Sequence, residues 1–215
     1  MGRAGQALVC AIALAGCTSV PQERLRDYSE EGMILYGQGD FRHAGECFQA
    51  ALTLKPNDAT LLYNVGHCYD RIDKTDLAEK YYVACLTQDP NFADCRHAYL
   101  ALLIRTGRKD QAVQSVQAWL ASSPQLAAAY GEEGWLMLQE GDLLRAQARL
   151  QQALDLNPQD VNSLINLGQV YETLQRPDRA LALYERALAL SPNQLEVSRR
   201  IQILRSKGTI PPKPD

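Results

Sequence analysis

Apolar residues recur along the chain at steps of three or four, the spacing that places them on one face of an α-helix. Leu164, Leu167 and Tyr171 follow this spacing, and after a short polar break it resumes with Ala180 and Tyr184. The alternation of apolar and polar residues that is typical of a half-buried strand is not found in the sequence. The pattern therefore predicts an all-α protein of short helices joined by turns.

The helical pattern returns at a fixed interval of 34 residues. The interval is carried by one set of prolines, Pro56, Pro90, Pro124, Pro158 and Pro192. Because proline lacks an amide hydrogen and pushes the preceding residue out of helical geometry, a helix is expected to end before each of them. The interval predicts five repeats of two helices each, over residues 25–58, 59–92, 93–126, 127–160 and 161–194.

Small residues recur inside the repeats, with glycine at position 8 and alanine at position 20 of most of them. Such residues let two helix backbones approach closely. In the third repeat Leu100 stands at position 8 and Trp119 at position 27, a second small position. Overpacking of this kind costs about 1 to 3 kcal/mol unless the backbone adjusts, so we expect a local change in helix packing there. A partner pocket around Trp119 is the functional alternative, and the packing interpretation is favoured because large apolar residues at helical spacing are usually core.

The repeats resemble the tetratricopeptide repeat, most clearly in residues 62–69 (LYNVGHCY) and 164–171 (LINLGQVY). The resemblance covers residues 25–194. It implies an α-solenoid, a right-handed superhelix of helix-turn-helix repeats whose concave groove binds peptides or protein surfaces. Residues 195–208 have the amphipathic pattern of a helix that caps the end of the array, and residues 209–215 resemble an extended Pro-rich tail.

The N-terminal residues have the pattern of a processing signal. Arg3 precedes an apolar run that is much shorter than the roughly 20 residues of a membrane span. The run ends in Leu-Ala-Gly before Cys17, which resembles the lipobox of bacterial lipoproteins. We expect a signal peptide over residues 1–16, a lipid on Cys17 and a tether over residues 17–24. Thr18 follows the cysteine, which resembles the sorting signal of lipoproteins that are sent to the outer membrane. We therefore expect the protein to be anchored in the outer membrane and to face the periplasm.

The resemblance also implies which side chains face the groove. In this family the groove is lined by positions 2, 5, 6, 9, 12 and 13 of the first helix of each repeat. The alternative for any one of these side chains is a merely solvated helix face. The implied groove residues are Tyr63, Asn64, His67, Asp70, Arg71, His97, Arg105, Trp135, Leu138, Asn166, Gln169 and Glu172.

Four cysteines stand in the first three repeats, and a periplasmic location would allow them to oxidise. The family's geometry implies that Cys85 lies against Cys95 and that Cys47 faces Cys68, which makes two disulfides possible. The alternative is four small buried residues in place of alanine. Three histidines lie in the same repeats, but the close cysteine pairs of structural zinc sites are missing, so no metal or other cofactor is predicted.

Composition and charge narrow the function. With 46% hydrophobic and 22% charged residues, the chain can form a hydrophobic core. Its net charge is −3, and it has no cluster of basic residues of the kind that binds nucleic acid. The sequence has no nucleophile elbow, phosphate-binding loop or HExxH helix, so no enzyme is predicted. Two hypotheses remain: a lipid-anchored adaptor that binds proteins during cell-envelope assembly, and a ligand-binding, metal-binding or redox-responsive module built on the Cys/His-rich first half.

Overall fold

The computed structural model describes residues 21–210, and this part of the chain is helical apart from its turns. It contains eleven helices and no strand, which confirms the all-α prediction. The helices are α1 (Pro21–Gly37), α2 (Phe41–Leu54), α3 (Ala59–Arg71), α4 (Thr75–Gln88), α5 (Ala93–Arg105), α6 (Lys109–Ser122), α7 (Ala127–Glu140), α8 (Leu143–Leu156), α9 (Val161–Thr173), α10 (Pro177–Leu190) and α11 (Leu195–Ser206).

The helix starts follow the sequence interval. Helices α3, α5, α7, α9 and α11 begin 34 residues apart, and so do α2, α4, α6, α8 and α10. The described residues divide into two compact units, 21–105 and 106–210. The described part of the first unit contains α1 to α5, and that of the second contains α6 to α11. The division falls inside the third repeat, in which Leu100 and Trp119 replace small residues and are both buried.

Within a repeat the two helices meet where glycine at position 8 faces a bulky side chain at position 24. A Cβ atom on the glycine would lie 2.5 to 2.9 Å from the facing aromatic ring, closer than atoms can approach, so glycine is required for this contact. In the fourth repeat the facing residue is leucine. The pairs are Gly32 with Phe48, Gly66 with Tyr82, Gly134 with Leu150, and Gly168 with Tyr184.

In the second unit one apolar core runs through α8, α9, α10 and α11. Helix α11 contributes Val197, Ile201 and Leu204, which are each at most 5% exposed. The polar side chains Arg199 and Gln202 of the same helix are exposed. Helix α11 therefore covers apolar side chains of the last repeat and presents polar residues outward.

The start of the first helix differs from the sequence prediction. Helix α1 begins at Pro21, so residues 21–24, the last four of the predicted tether, are helical. Proline is favoured in the first turn of a helix, where its missing amide hydrogen has no partner to lose. The predicted signal peptide over residues 1–16, Cys17 and the last five residues of the predicted tail lie outside the described residues. Among residues 21–210, no helix combines the length and apolar character needed to cross a bilayer.

Candidate peptide-binding surfaces

In the first unit, two adjoining open cavities lie between α1 and α3, with Phe48 of α2 at the base of both. The smaller, of about 160 Å³, lies among Met33, Tyr36, Phe48, Tyr63, Asn64 and His67. The larger, of about 400 Å³, extends towards the start of both helices and shares three of these residues. We call the two together the α1–α3 groove. The side chains that line both cavities are Met33, Phe48 and Asn64.

Stacked rings and polar contacts fix the side chains of the groove. Tyr63 stacks on His67 with ring centroids 5.4 Å apart, and the Tyr36 hydroxyl lies 3.2 Å from Nε2 of His67. Arg71 donates a hydrogen bond of 3.4 Å to the Tyr36 hydroxyl, and its guanidinium lies 4.1 Å above the Phe41 ring. These contacts hold the rings in one arrangement before any ligand arrives.

Two side chains of the groove, Tyr63 and His67, are uncharged, whereas the Arg71 guanidinium beside Tyr36 carries a positive charge. Burial lowers the pKa of His67, which outweighs the opposing effect of Asp70, and burial raises the pKa of Tyr63. Both side chains are therefore uncharged at neutral pH. Asp70 forms an ion pair with Arg105 of α5, so these two charges compensate each other. An apolar side chain with a hydrogen-bonding backbone suits the part of the groove around Tyr63 and His67 better than a charged one.

Three of the implied groove residues, Tyr63, Asn64 and His67, are brought together around one cavity. Asp70 and Arg105 form an ion pair with each other. The implied residues on α3 and α5 also include Arg71, which contacts Tyr36 and Phe41 as described above, and His97, which is half-buried.

Met33 and Tyr36 were missed in the sequence analysis. They occupy positions 9 and 12 of the first repeat, the same positions as His67 and Asp70 in the second. Applying the family's groove positions to the first repeat would have found them.

In the second unit the implied groove residues stand on α7 and α9. Trp135, Asn166 and Gln169 are half-buried, and Leu138 packs against the apolar core. The carboxylate of Glu172 accepts hydrogen bonds from the Tyr184 hydroxyl at 2.6 Å and from Arg200 at 2.7 Å. Glu172 therefore links α9 to α10 and α11, a structural use that the sequence pattern did not indicate.

The four cysteines are buried thiols, so neither of the two possible disulfides is formed in the structure. The Cys95 thiol donates a hydrogen bond of 3.6 Å to the backbone carbonyl of Tyr82. Its interaction with the neighbouring Cys85, together with burial, raises the pKa of Cys95. Burial raises the pKa of Cys68 to about 12. Cys68 and Cys95 are therefore protonated at neutral pH, which makes these two thiols poor nucleophiles and metal ligands. Within residues 21–210, histidine, cysteine and carboxylate side chains nowhere gather in threes as a metal site would require.

The tetratricopeptide repeat family matches the chain at residues 26–58, 59–92 and 132–194, together more than half of its length. The chain is a tetratricopeptide repeat protein. Its helices form the all-α solenoid of that family, confirming the predicted fold class, and such repeats indicate a scaffold for protein–protein interaction.

Among solved structures, TTC0263, described as a thermophilic tetratricopeptide repeat protein of Thermus thermophilus, has the same fold. The TM-score is 0.67 at 23% identity, and the match covers 87% of this chain and 100% of that one.

The curated relatives are much longer proteins, and each is similar to this chain over only part of its own length. Protein O-mannosyl-transferase TMTC3 of Homo sapiens is 25% identical over 87% of this chain and 22% of its own length. Cellulose synthase operon protein C of Xanthomonas axonopodis pv. citri is 27% identical over 74% of this chain and 11% of its own. The chain thus spans about a fifth or less of these two relatives.

Proposed function

We propose that this tetratricopeptide repeat protein is a lipid-anchored adaptor of the bacterial cell envelope. The lipobox-like residues that end at Cys17 support an anchor, and the repeats support a binding role. In this proposal the lipid holds the protein at the outer membrane, and the repeats bind a protein that takes part in pilus or secretion assembly, outer-membrane biogenesis or cell-wall synthesis. We assign no catalysis to the chain, because its sequence contains no nucleophile elbow, phosphate-binding loop or HExxH helix.

The observation that carries the proposal is the α1–α3 groove. Its walls are rings held in place by stacking and hydrogen bonds, and at its mouth Met33 is 58% exposed. An exposed apolar side chain beside a preformed cavity is typical of a protein-binding surface. Asn64 supplies an amide that can pair with a partner's backbone. We propose that a partner segment inserts an apolar side chain between Met33 and Tyr63.

Two neighbouring residues of α1 provide a matched test. Met33 and Ile34 are 58% and 60% exposed, but only Met33 lines the groove. A carboxylate at the groove mouth would have to be desolvated on binding, so we expect Met33→Asp to weaken partner binding by about tenfold or more, roughly 1.4 kcal/mol. Ile34→Asp should bind as the unmodified protein does.

The partner is first captured in cells by a photo-crosslinking amino acid placed at residue 33 or 34, and its affinity for the purified variants is then measured by calorimetry. The expected result is crosslinking from residue 33 alone. Equal crosslinking from both positions, or an unchanged affinity of Met33→Asp, would refute the groove assignment.

The lipid anchor is tested separately. Cells that express the protein are labelled with an alkyne analogue of palmitate, and the membrane and soluble fractions are compared. We expect the label on the unmodified protein and its loss, together with loss from the membrane fraction, in Cys17→Ser. A membrane-bound and unlabelled wild-type protein would contradict the anchor without affecting the groove.

The interaction between the buried thiols of Cys85 and Cys95 favours one second candidate, a redox-responsive module. In that case an oxidant such as a periplasmic disulfide carrier would take two electrons from the pair, and two protons would leave as the S–S bond forms. Thiol counting on protein isolated without reductant distinguishes the candidates. Four titratable thiols in the mature chain support the adaptor alone, and two support the redox module.

A further inference from the structure

A second cavity, of about 500 Å³, opens between α6, α7 and α8 of the second unit. We call it the α6–α8 cleft. Its base is apolar, and its wall carries an ion pair in which Arg149 lies 2.8 Å from Glu133. The side chains that line the cleft include Val116, Gln117, Glu133, Met137, Arg145 and Arg149.

The repeats allow the cleft to be compared with the equivalent place in the first unit, 68 residues earlier. There the space between α2, α3 and α4 is filled by Tyr69 and Tyr81, whose rings stack with centroids 5.7 Å apart. Gln49 donates hydrogen bonds to both hydroxyls, at 2.8 and 3.2 Å. The cavity that remains has only about 150 Å³. In the first unit, therefore, this place is filled by phenol rings and a glutamine that binds their hydroxyls.

The equivalent place one repeat after the cleft also holds a phenol ring. Tyr171 stands at position 11 of the fifth repeat, as Tyr69 does in the second. The guanidinium of Arg179 lies 5.5 Å from the centroid of this ring and 3.5 Å from its hydroxyl. A guanidinium near an aromatic face is stabilised by the cation–π interaction.

In the α6–α8 cleft the polar partners of such a ring are kept while the ring itself is missing. Gln117 stands at the position of Gln49, and Arg145 at that of Arg179. Met137, however, replaces the tyrosine at position 11, and Arg149 replaces Tyr81. The wider cavity at this position follows from these two substitutions.

We propose that the α6–α8 cleft binds the tyrosine side chain of a partner polypeptide. The ring would pack on Met137 and Val116, and its hydroxyl would meet Gln117 and the guanidinium groups of Arg145 and Arg149. The cleft is large enough for a phenol ring together with part of its backbone, since ligand pockets typically have about 300 to 1,000 Å³. The tyrosine then occupies the place that Tyr69 and Tyr171 occupy elsewhere in the same chain.

Methionine methyl groups give a direct readout, because the chain contains only three methionines, Met1, Met33 and Met137. The full chain is labelled with ¹³C on these methyl groups and titrated with N-acetyl-tyrosinamide, and N-acetyl-leucinamide serves as the comparison compound. We expect the tyrosine compound to shift the Met137 signal at concentrations at least tenfold lower than the leucine compound does. Met33 belongs to the α1–α3 groove, so its signal reports separately on the proposed function.

Two variants test the site itself. Met137→Tyr supplies the missing ring from within the chain, so it should raise the melting temperature and weaken binding of N-acetyl-tyrosinamide at least tenfold, measured by saturation-transfer NMR. Gln117→Leu changes an exposed side chain and should leave the fold intact. It therefore tests the site even if Met137→Tyr fails to fold. It should weaken binding of N-acetyl-tyrosinamide but not of N-acetyl-phenylalaninamide. An unshifted Met137 signal, or unchanged binding in both variants, would overturn the proposal.

Discussion

Position 15 of every repeat, in the turn between its two helices, adopts the left-handed backbone conformation with positive φ. Three repeats place glycine there, which has no Cβ to clash in this conformation. The other two use residues with side chains, Asp73 at φ 57° and Gln175 at φ 60°. The glycines at this position are Gly39, Gly107 and Gly141.

Gln175→Gly is expected to stabilise the second unit. The left-handed conformation costs a residue with a side chain roughly 1 to 2 kcal/mol, and glycine loses about 0.5 to 1 kcal/mol through its more flexible unfolded state. The net gain should be about 0.5 kcal/mol. Both tryptophans of the chain, Trp119 and Trp135, lie in the second unit. Urea unfolding followed by tryptophan fluorescence therefore measures the change in stability of this unit.

Gly141→Gln is the matched reverse change in the neighbouring repeat. It should lower the midpoint of the same transition by a comparable amount. Equal midpoints for both variants would show that φ at position 15 does not limit stability.

These turns were predictable from the sequence as breaks between apolar runs, including the turn at residues 175–177. The left-handed conformation of Gln175 was not, because glutamine has no intrinsic preference for it. It follows from the fixed 34-residue interval, which imposes on Gln175 the backbone that glycine adopts in other repeats.

At the scale of the element, four helices begin with an aspartate whose side chain accepts a hydrogen bond from the backbone amide three residues later. Other helices, such as α4, α6 and α10, begin with a residue that makes no such bond. One helix start is therefore fixed by such a cap in each of the first, second, fourth and fifth repeats. The capping residues are Asp40 of α2, Asp58 of α3, Asp142 of α8 and Asp160 of α9.

Asp58 makes this capping contribution dependent on pH. Burial raises the pKa of Asp58, but hydrogen bonds from Lys55 and from the amide of Leu61 lower it more, so the net pKa lies below its ordinary value of 3.8. A carboxyl group with a lowered folded-state pKa stabilises the fold above the unfolded-state pKa and loses this effect as the pH falls through the folded value. The stabilisation by Asp58 should thus be complete at pH 7 and decline below about pH 4.

Asp58→Ala should cost about 1 kcal/mol at pH 7, the usual contribution of such a cap. Asp58→Asn keeps an acceptor without the charge, so it should cost less at pH 7 and approach the wild type at pH 3. The measurement is urea unfolding by circular dichroism at both pH values, with hydrogen exchange of α3 as the local readout. An equal cost of Asp58→Asn at pH 7 and pH 3 would contradict this account.

At the scale of the whole molecule, the 34-residue interval was enough to predict the fold class, because a periodic sequence requires periodic packing. The two candidate binding sites were harder to predict from the sequence. The α6–α8 cleft depends on which side chains fill the space around positions 11 and 23, and the apolar pattern treats Met137 and Tyr69 as equivalent. Position rules did lead to Tyr63, Asn64 and His67 in the α1–α3 groove, but they could not show that Glu172 is engaged by Tyr184 and Arg200.

Substitutions in α11, the last helix of the array, test how far the stability of the second unit depends on this helix. Ile201 and Ile203 lie two residues apart on α11, but Ile201 is 5% exposed and Ile203 is 52% exposed. Loss of a buried isoleucine costs about 2 to 5 kcal/mol, and burying a carboxylate adds to this, so Ile201→Asp should detach α11 from the core. Ile203→Asp should change the stability by no more than about 0.5 kcal/mol.

Detachment of α11 would also uncover the apolar surface that Val197, Ile201 and Leu204 cover. Repeat arrays with such an open end associate with one another, because each end offers the apolar face that the next repeat would bury. We therefore expect Ile201→Asp to self-associate in light-scattering measurements and to unfold at lower urea by tryptophan fluorescence, while Ile203→Asp behaves as the wild type. If Ile201→Asp scatters light as the wild type does and its urea midpoint is unchanged, the second unit holds its core without α11.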